Sequence, residues 1–231
     1  MPVKGQCRLT GSILFKALIV ALGVLGQRIS FMRAGFRLGG HLLYYTNITN
    51  ILAILLSFGW LAVLCRMRLA GQAPVFPRWA GTVRFAMATG ILLTFAGFSM
   101  LLLPSIPRQY MFSAENILVH YLVPLMTVLD YLLFDEGLHE GQPRLGWGLV
   151  LPLAYMVLTL ALMGAGQRYD RGAAAPYFFL DAEKNGWFTL SGGRLGVCWW
   201  ILLLFLMQAM LSAVVKGLKE RVLRRREVLK C

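Results

Sequence analysis

Six runs of about twenty mainly apolar residues, separated by clusters of Arg, Pro, Gly and acidic residues, dominate this 231-residue sequence. They fall at about residues 11–27, 42–65, 82–103, 115–134, 146–165 and 195–215. A hydrocarbon layer about 30 Å thick takes about 20 helical residues to cross. Lipid leaves no unpaired backbone tolerable, so runs of this length must be helices. The expected fold is therefore all-α: a polytopic membrane protein in which residues 1–215 make a single six-transmembrane-helix bundle, followed by a basic tail over 216–231. The first run resembles a signal sequence only superficially, because Lys16 interrupts it and no small-x-small cleavage site follows.

A formal charge of +13 could suggest a nucleic-acid partner, but 7 of the 23 basic residues crowd between Lys216 and Lys230. Such a run beside a span reads as an anchor on anionic lipid, and no nucleic acid is expected. Leaving out Lys16 and Arg84, which fall inside runs, Lys and Arg number 13 on the side of the chain ends and 8 on the other. The excess marks the cytosolic face, so both termini are expected there. The longest connection, about 166–194, then lies outside. Cys7, Cys65, Cys198 and Cys231 are widely scattered, which supports neither a disulfide framework nor a zinc site.

Polar side chains inside a span are costly unless they face protein or water. At 100° per residue, Thr46, Asn50, Ala53 and Ser57 form one small or polar stripe on the second span, which must face the interior. On the fourth span Asn116, His120, Thr127 and Tyr131 share a face, and His120 is the only histidine well inside any span. Interhelical hydrogen bonding accounts for both stripes as readily as chemistry does. Pro124 weakens the helix one turn beyond His120, freeing the His120 carbonyl.

Depth distinguishes the candidates. Thr46 lies about four residues into its span and His120 about five into its own, so both sit roughly 6–8 Å below the outer boundary. If their helices are neighbours they can meet, and histidine is the natural base to activate a threonine hydroxyl. Asp130 lies about 15 Å deeper than His120 and cannot orient that imidazole. Arg84 is at a comparable depth to Asp130, and a structural ion pair between them is expected. Lys16, near an inner end, is expected to snorkel.

Tyr45-Thr46 with Asn50, Asn116-x-x-x-His120 with Pro124 and Asp130, and Pro176-Tyr177-Phe178-Phe179-Leu180-Asp181 occur in order along the chain. Over about residues 10–215 this resembles the prokaryotic six-transmembrane family related to the androgen-induced-gene and androgen-dependent TFPI-regulating proteins. Eukaryotic relatives of that type hydrolyse fatty acid esters of hydroxy fatty acids with a threonine and a histidine. The resemblance places these on Thr46 and His120, and it implies a bacterial plasma membrane. The outer motif departs from the family pattern at Phe178, where a proline is usual.

The expected activity is a lipid ester hydrolase in which His120 deprotonates Thr46 and an acyl-enzyme forms. Asn47, Asn50 or Asn116 could supply oxyanion donors, or Asn116 could fix the tautomer of His120. Tyr177 and Phe179 would close the pocket as an outer lid, with Asp181 capping a helix or binding Arg194. No cofactor and no metal is required, one interior histidine being too few ligands. The alternative is a non-catalytic bundle that binds or transports a lipid or small molecule through the same polar stripe. The sequence does not determine the oligomeric state.

Overall fold

The computed structural model describes residues 3–35, 38–72, 76–134 and 143–228. Six helices are long and apolar enough to cross a membrane. Span 1 is Val3–Arg33, span 2 Tyr45–Leu69 and span 3 Trp79–Leu102. Span 4 is Ala114–Phe134, span 5 Leu145–Gly164 and span 6 Val197–Val228. The basic tail is thus no separate segment as far as Val228, because span 6 continues through it without a break. Residues 229–231 lie outside the described residues.

Apolar packing joins the spans in layers. Ile19, Ala53, Met87, Ile91 and Val123 bring spans 1 to 4 together, and Phe85, Ala88, Val128, Tyr131, Leu132 and Val215 join spans 3, 4 and 6. Close approach depends on missing side chains. A Cβ at Gly23 would stand 2.5 Å from Ile54, and one at Gly90 would stand 2.7 Å from Leu151. The exposed carbonyl of Gly90 then accepts a hydrogen bond from the Tyr45 hydroxyl at 2.8 Å.

Arg84 and Asp130 pair directly. Lys16 does not snorkel: it is 1% exposed, and its ammonium donates to Asp130 Oδ1 at 2.8 Å and to Ser12 Oγ at 3.0 Å. The reason is position. Span 1 begins at residue 3, so Lys16 falls more than three turns into the helix, and a buried carboxylate is nearer than the interface. The end of span 4, just beyond Asp130, needs cations of its own, since the last carbonyls of a helix have no partner within it. Arg8 donates to the Leu133 carbonyl at 2.9 Å and Lys219 to that of Leu132 at 3.3 Å, with Arg226 also bound to Leu133. The first turns of span 1 and the last turns of span 6 therefore meet at this end of the bundle.

The connection from Ala165 to Gly196 covers the opposite end. Its tip is an antiparallel hairpin of Leu190–Ser191 with Arg194–Leu195. Gly192 and Gly193, at φ 63° and 71°, supply the left-handed pair that a two-residue hairpin turn requires. Ala175, Phe179 and Leu180 anchor the connection against Met156 and Val197.

Replacing Asp130 with Ala would leave Lys16 and Arg84 without their shared carboxylate in a dry interior. The expected loss is about 3–5 kcal/mol of unfolding free energy, with Asp130→Glu far milder. Unfolding of the two variants in bicelles checks this, and an unchanged midpoint for Asp130→Ala contradicts it.

Candidate functional site

Span 2 starts abruptly. Tyr44 ahead of it is extended and provides no side-chain cap, so the N–H groups of Tyr45 and Thr46 are left for partners from other elements. Tyr177, from the long connection, supplies one. Burial pushes its phenol above the ordinary range, while the Thr46 hydroxyl, the N–H groups of Thr46 and Tyr45 and the Tyr155 hydroxyl pull the other way. The Tyr177 phenol thus sits beside the start of span 2 and Tyr155.

Two cavities meet at this point. One, of about 620 Å³, has polar walls that include Arg33, His41, Glu115, His120 and Asp170. The other, of about 80 Å³, runs between Leu93, Gly97, Leu101, Met156, Leu204 and Phe205 and is almost wholly apolar. Thr46, Phe98, Leu102 and Tyr177 line both. The Thr46 hydroxyl therefore stands at a boundary between a polar and an apolar compartment.

His120 owes its setting to two departures from α-helical geometry. Phe98–Leu102 in span 3 and Ile117–Leu122 in span 4 are π-helical. Each is closed by the residue before a proline: Leu103 N–H donates to the Phe98 carbonyl ahead of Pro104, and Val123 N–H to that of Leu118 ahead of Pro124. Proline has no N–H to give, and its ring crowds the carbonyl four residues back. A wider turn accommodates that carbonyl, which for Pro124 belongs to His120. Phe98 from one widened turn stacks on His120 from the other, with centroids 3.8 Å apart. His120 is 8% exposed, and its Nδ1 is buried with no hydrogen-bond partner.

Spans 2 and 4 are neighbours here, tied by Asn50. Its amide donates to the Thr46 carbonyl at 2.8 Å and across to the Val119 carbonyl at 2.9 Å. Thr46 and His120 face the same cavity, but no hydrogen bond joins their side chains.

The asparagines are positioned as braces rather than as oxyanion donors. Both amide hydrogens of Asn50 are spent as described. Asn47 donates to the His41 carbonyl at 2.9 Å and to His41 Nδ1 at 3.3 Å. Asn116 donates to the Met111 carbonyl at 2.7 Å and so fixes the start of span 4 instead of the His120 tautomer. The N–H groups of Tyr45 and Thr46, uncapped by the side chain of Tyr44, adjoin the Thr46 side chain along the chain.

Several groups at the site carry no sequence motif. Glu115 is buried and pairs with Arg33 at 3.0 Å, while the Arg33 guanidinium lies 4.4 Å from the Tyr110 ring centroid. Burial, then Glu115, pushes the Tyr110 phenol up to about 12. Tyr44 donates to Asp170 at 2.8 Å. The available signal was Glu115 at a span boundary, too polar to sit there unpaired.

The outer residues divide into two roles. Tyr177 and Phe179 stack face to face at 5.1 Å, and both line the apolar slot. Asp181 caps the short helix Ala182–Asn185 by accepting from Lys184 N–H at 3.2 Å, and it pairs with Lys184 Nζ at 3.0 Å. Arg194 instead donates to the Lys184 carbonyl.

No known family model, curated protein or solved structure is significantly similar to this chain.

His41 is braced on both nitrogens, with Nε2 2.9 Å from Gln27 Oε1 and Nδ1 accepting from Asn47. Burial lowers its pKa from 6.5, against an opposing pull from Glu115. The unfolded chain therefore binds this proton more readily than the folded one. The histidine's contribution is flat above about pH 6.5 and becomes destabilising as pH falls below it. Melting curves between pH 8 and 5 should show a steeper acid loss for wild type than for His41→Gln; equal slopes would contradict this.

Proposed function

We propose that the protein is a membrane-embedded hydrolase of fatty acid esters, with Thr46 as nucleophile and His120 as base. The observation that carries this reading is the place of Thr46 at the boundary of the two cavities. An ester is itself such a boundary, with an acyl chain on one side of the carbonyl and an alcohol on the other. The apolar slot suits the acyl chain, and the polar cavity suits the alcohol and the hydrolytic water.

His120 takes the proton from the Thr46 hydroxyl, directly or through one water, as its oxygen attacks the ester carbonyl. The Tyr45 and Thr46 N–H groups stabilise the tetrahedral oxyanion. Collapse breaks the bond to the alcohol oxygen, which takes the proton from His120 and leaves an acyl-threonine. Water, deprotonated by His120, then releases the acid and restores Thr46. Tyr177 must leave the Thr46 N–H groups for the substrate carbonyl to approach, which makes it and Phe179 a lid. We read the site end as facing outward from a bacterial plasma membrane, with both chain ends cytosolic. The resemblance to the threonine-type hydrolases supports the same two residues.

The absence of a Thr46–His120 hydrogen bond favours a second reading, a lipid-binding bundle that cleaves nothing. Fluorophosphonate labelling separates the two. Wild type and Thr46→Ser should label and Thr46→Ala should not, while His120→Ala slows turnover of a fatty ester by about 10²–10⁴-fold. Equal labelling of wild type and Thr46→Ala overturns the nucleophile assignment. A reporter fused after residue 231 should be protected from external protease; digestion in intact cells reverses the orientation.

A further inference from the structure

Within the hydrolase reading, the polar cavity carries information about the alcohol half of the substrate. Its walls present acceptors and donors together. Glu115 accepts from Arg33 at Oε2 and Asp170 accepts from Tyr44 at Oδ2, and both carboxylates face the cavity. His120 adds an imidazole whose Nδ1 is unpartnered although the residue is more than nine-tenths buried. The donors are the Ser30, Tyr110 and Tyr177 hydroxyls and the Arg33 guanidinium, all on the same walls.

A carboxylate ligand offers acceptors only, and would meet Glu115 and Asp170 with like charge. An ammonium offers donors only, and has no acceptor for the wall hydroxyls. A hydroxyl group does both. Counting the charged walls among the described residues, Arg33 is balanced by Glu115 and Asp170 remains, so the cavity is net negative and rejects anions. At about 620 Å³ it is also far larger than the slot beyond Thr46, and within the range of cavities that enclose whole small molecules.

We propose that the alcohol released by this site is a neutral polyol, of the glycerol or sugar class, rather than a hydroxy acid or an amino alcohol. The acyl chain lies past Thr46 in the apolar slot, and the polyol hydroxyls span Glu115 and Asp170. Selectivity arises chiefly from exclusion: a ligand bearing a carboxylate near the ester is repelled by Asp170, the charge on these walls that Arg33 does not balance.

The test measures binding, so it does not depend on turnover. Thr46→Ala in lipid nanodiscs, free of sugar detergents, is titrated calorimetrically with decylglycerol ether, decanoate and decylammonium. The glycerol ether should bind at least about tenfold more tightly than either charged amphiphile. In Asp170→Asn, and in the double variant Asp170→Asn/Glu115→Gln, decanoate should gain several-fold and the glycerol ether should weaken, so that the gap between them narrows. Asp170 is exposed, so the single variant keeps the test sound if loss of the Arg33–Glu115 pair disturbs the fold. Decanoate or the ammonium binding as tightly as the ether, or a ranking unmoved by both variants, overturns the polyol assignment. Failure of Thr46 to label overturns the hydrolase reading and leaves this ranking measurable, so the two can fail separately.

Discussion

Inside a bilayer a polar group has no water to fall back on, and this constraint organises the protein. Many polar side chains on the inward faces are spent on a neighbouring helix. Asn50 bridges spans 2 and 4, Thr49 meets Thr94 at 2.9 Å across spans 2 and 3, and Gln208 reaches the Gly148 carbonyl at 2.6 Å across spans 6 and 5. The deep carboxylate of Asp130 holds two cations from two further helices. Helices pressed together only by lipid-like side chains would lack a unique register. These directional contacts supply one.

Against that background the exceptions are informative. His120 keeps an unanswered ring nitrogen in a bundle that answers most others. It does so between two π-helical turns, each forced open by a proline in the following turn. The distortion removes one residue's worth of regularity from spans 3 and 4 at the same level. The cavity lies beside them, lined by Phe98, Leu102, Val119 and His120. Proline here works as a device for making space within a helix pair rather than for ending a helix.

Spans were legible because twenty-residue apolar runs have one structural meaning in lipid, and their observed limits differ from the expected ones mainly at the ends of spans 1 and 6. The Arg84–Asp130 contact was legible because depth along a helix is simple arithmetic. Lys16 was not, since the same arithmetic needed the true start of span 1, eight residues earlier than hydropathy suggests. The inward stripes of Thr46 and His120 follow from a 100° period, but the roles of Asn47, Asn50 and Asn116 do not. An amide's orientation depends on carbonyls that only the assembled bundle places beside it. The π turns were signalled by Pro104 and Pro124, although a proline alone does not say whether a helix will kink, stop or widen. Arg33, Glu115 and Tyr110 come from three connections or span ends, and nothing in their spacing announces that they converge.

The clasp on the end of span 4 bears on how the chain is made. Carbonyls at Leu132 and Leu133 accept from Lys219 and Arg226, residues synthesised 87 and 93 positions later. During translation that helix end must wait, hydrated at the membrane surface or held by insertion machinery, until the final helix emerges. Span 4 therefore gains its end contacts only once span 6 is made, and a chain interrupted before span 6 lacks this closing latch.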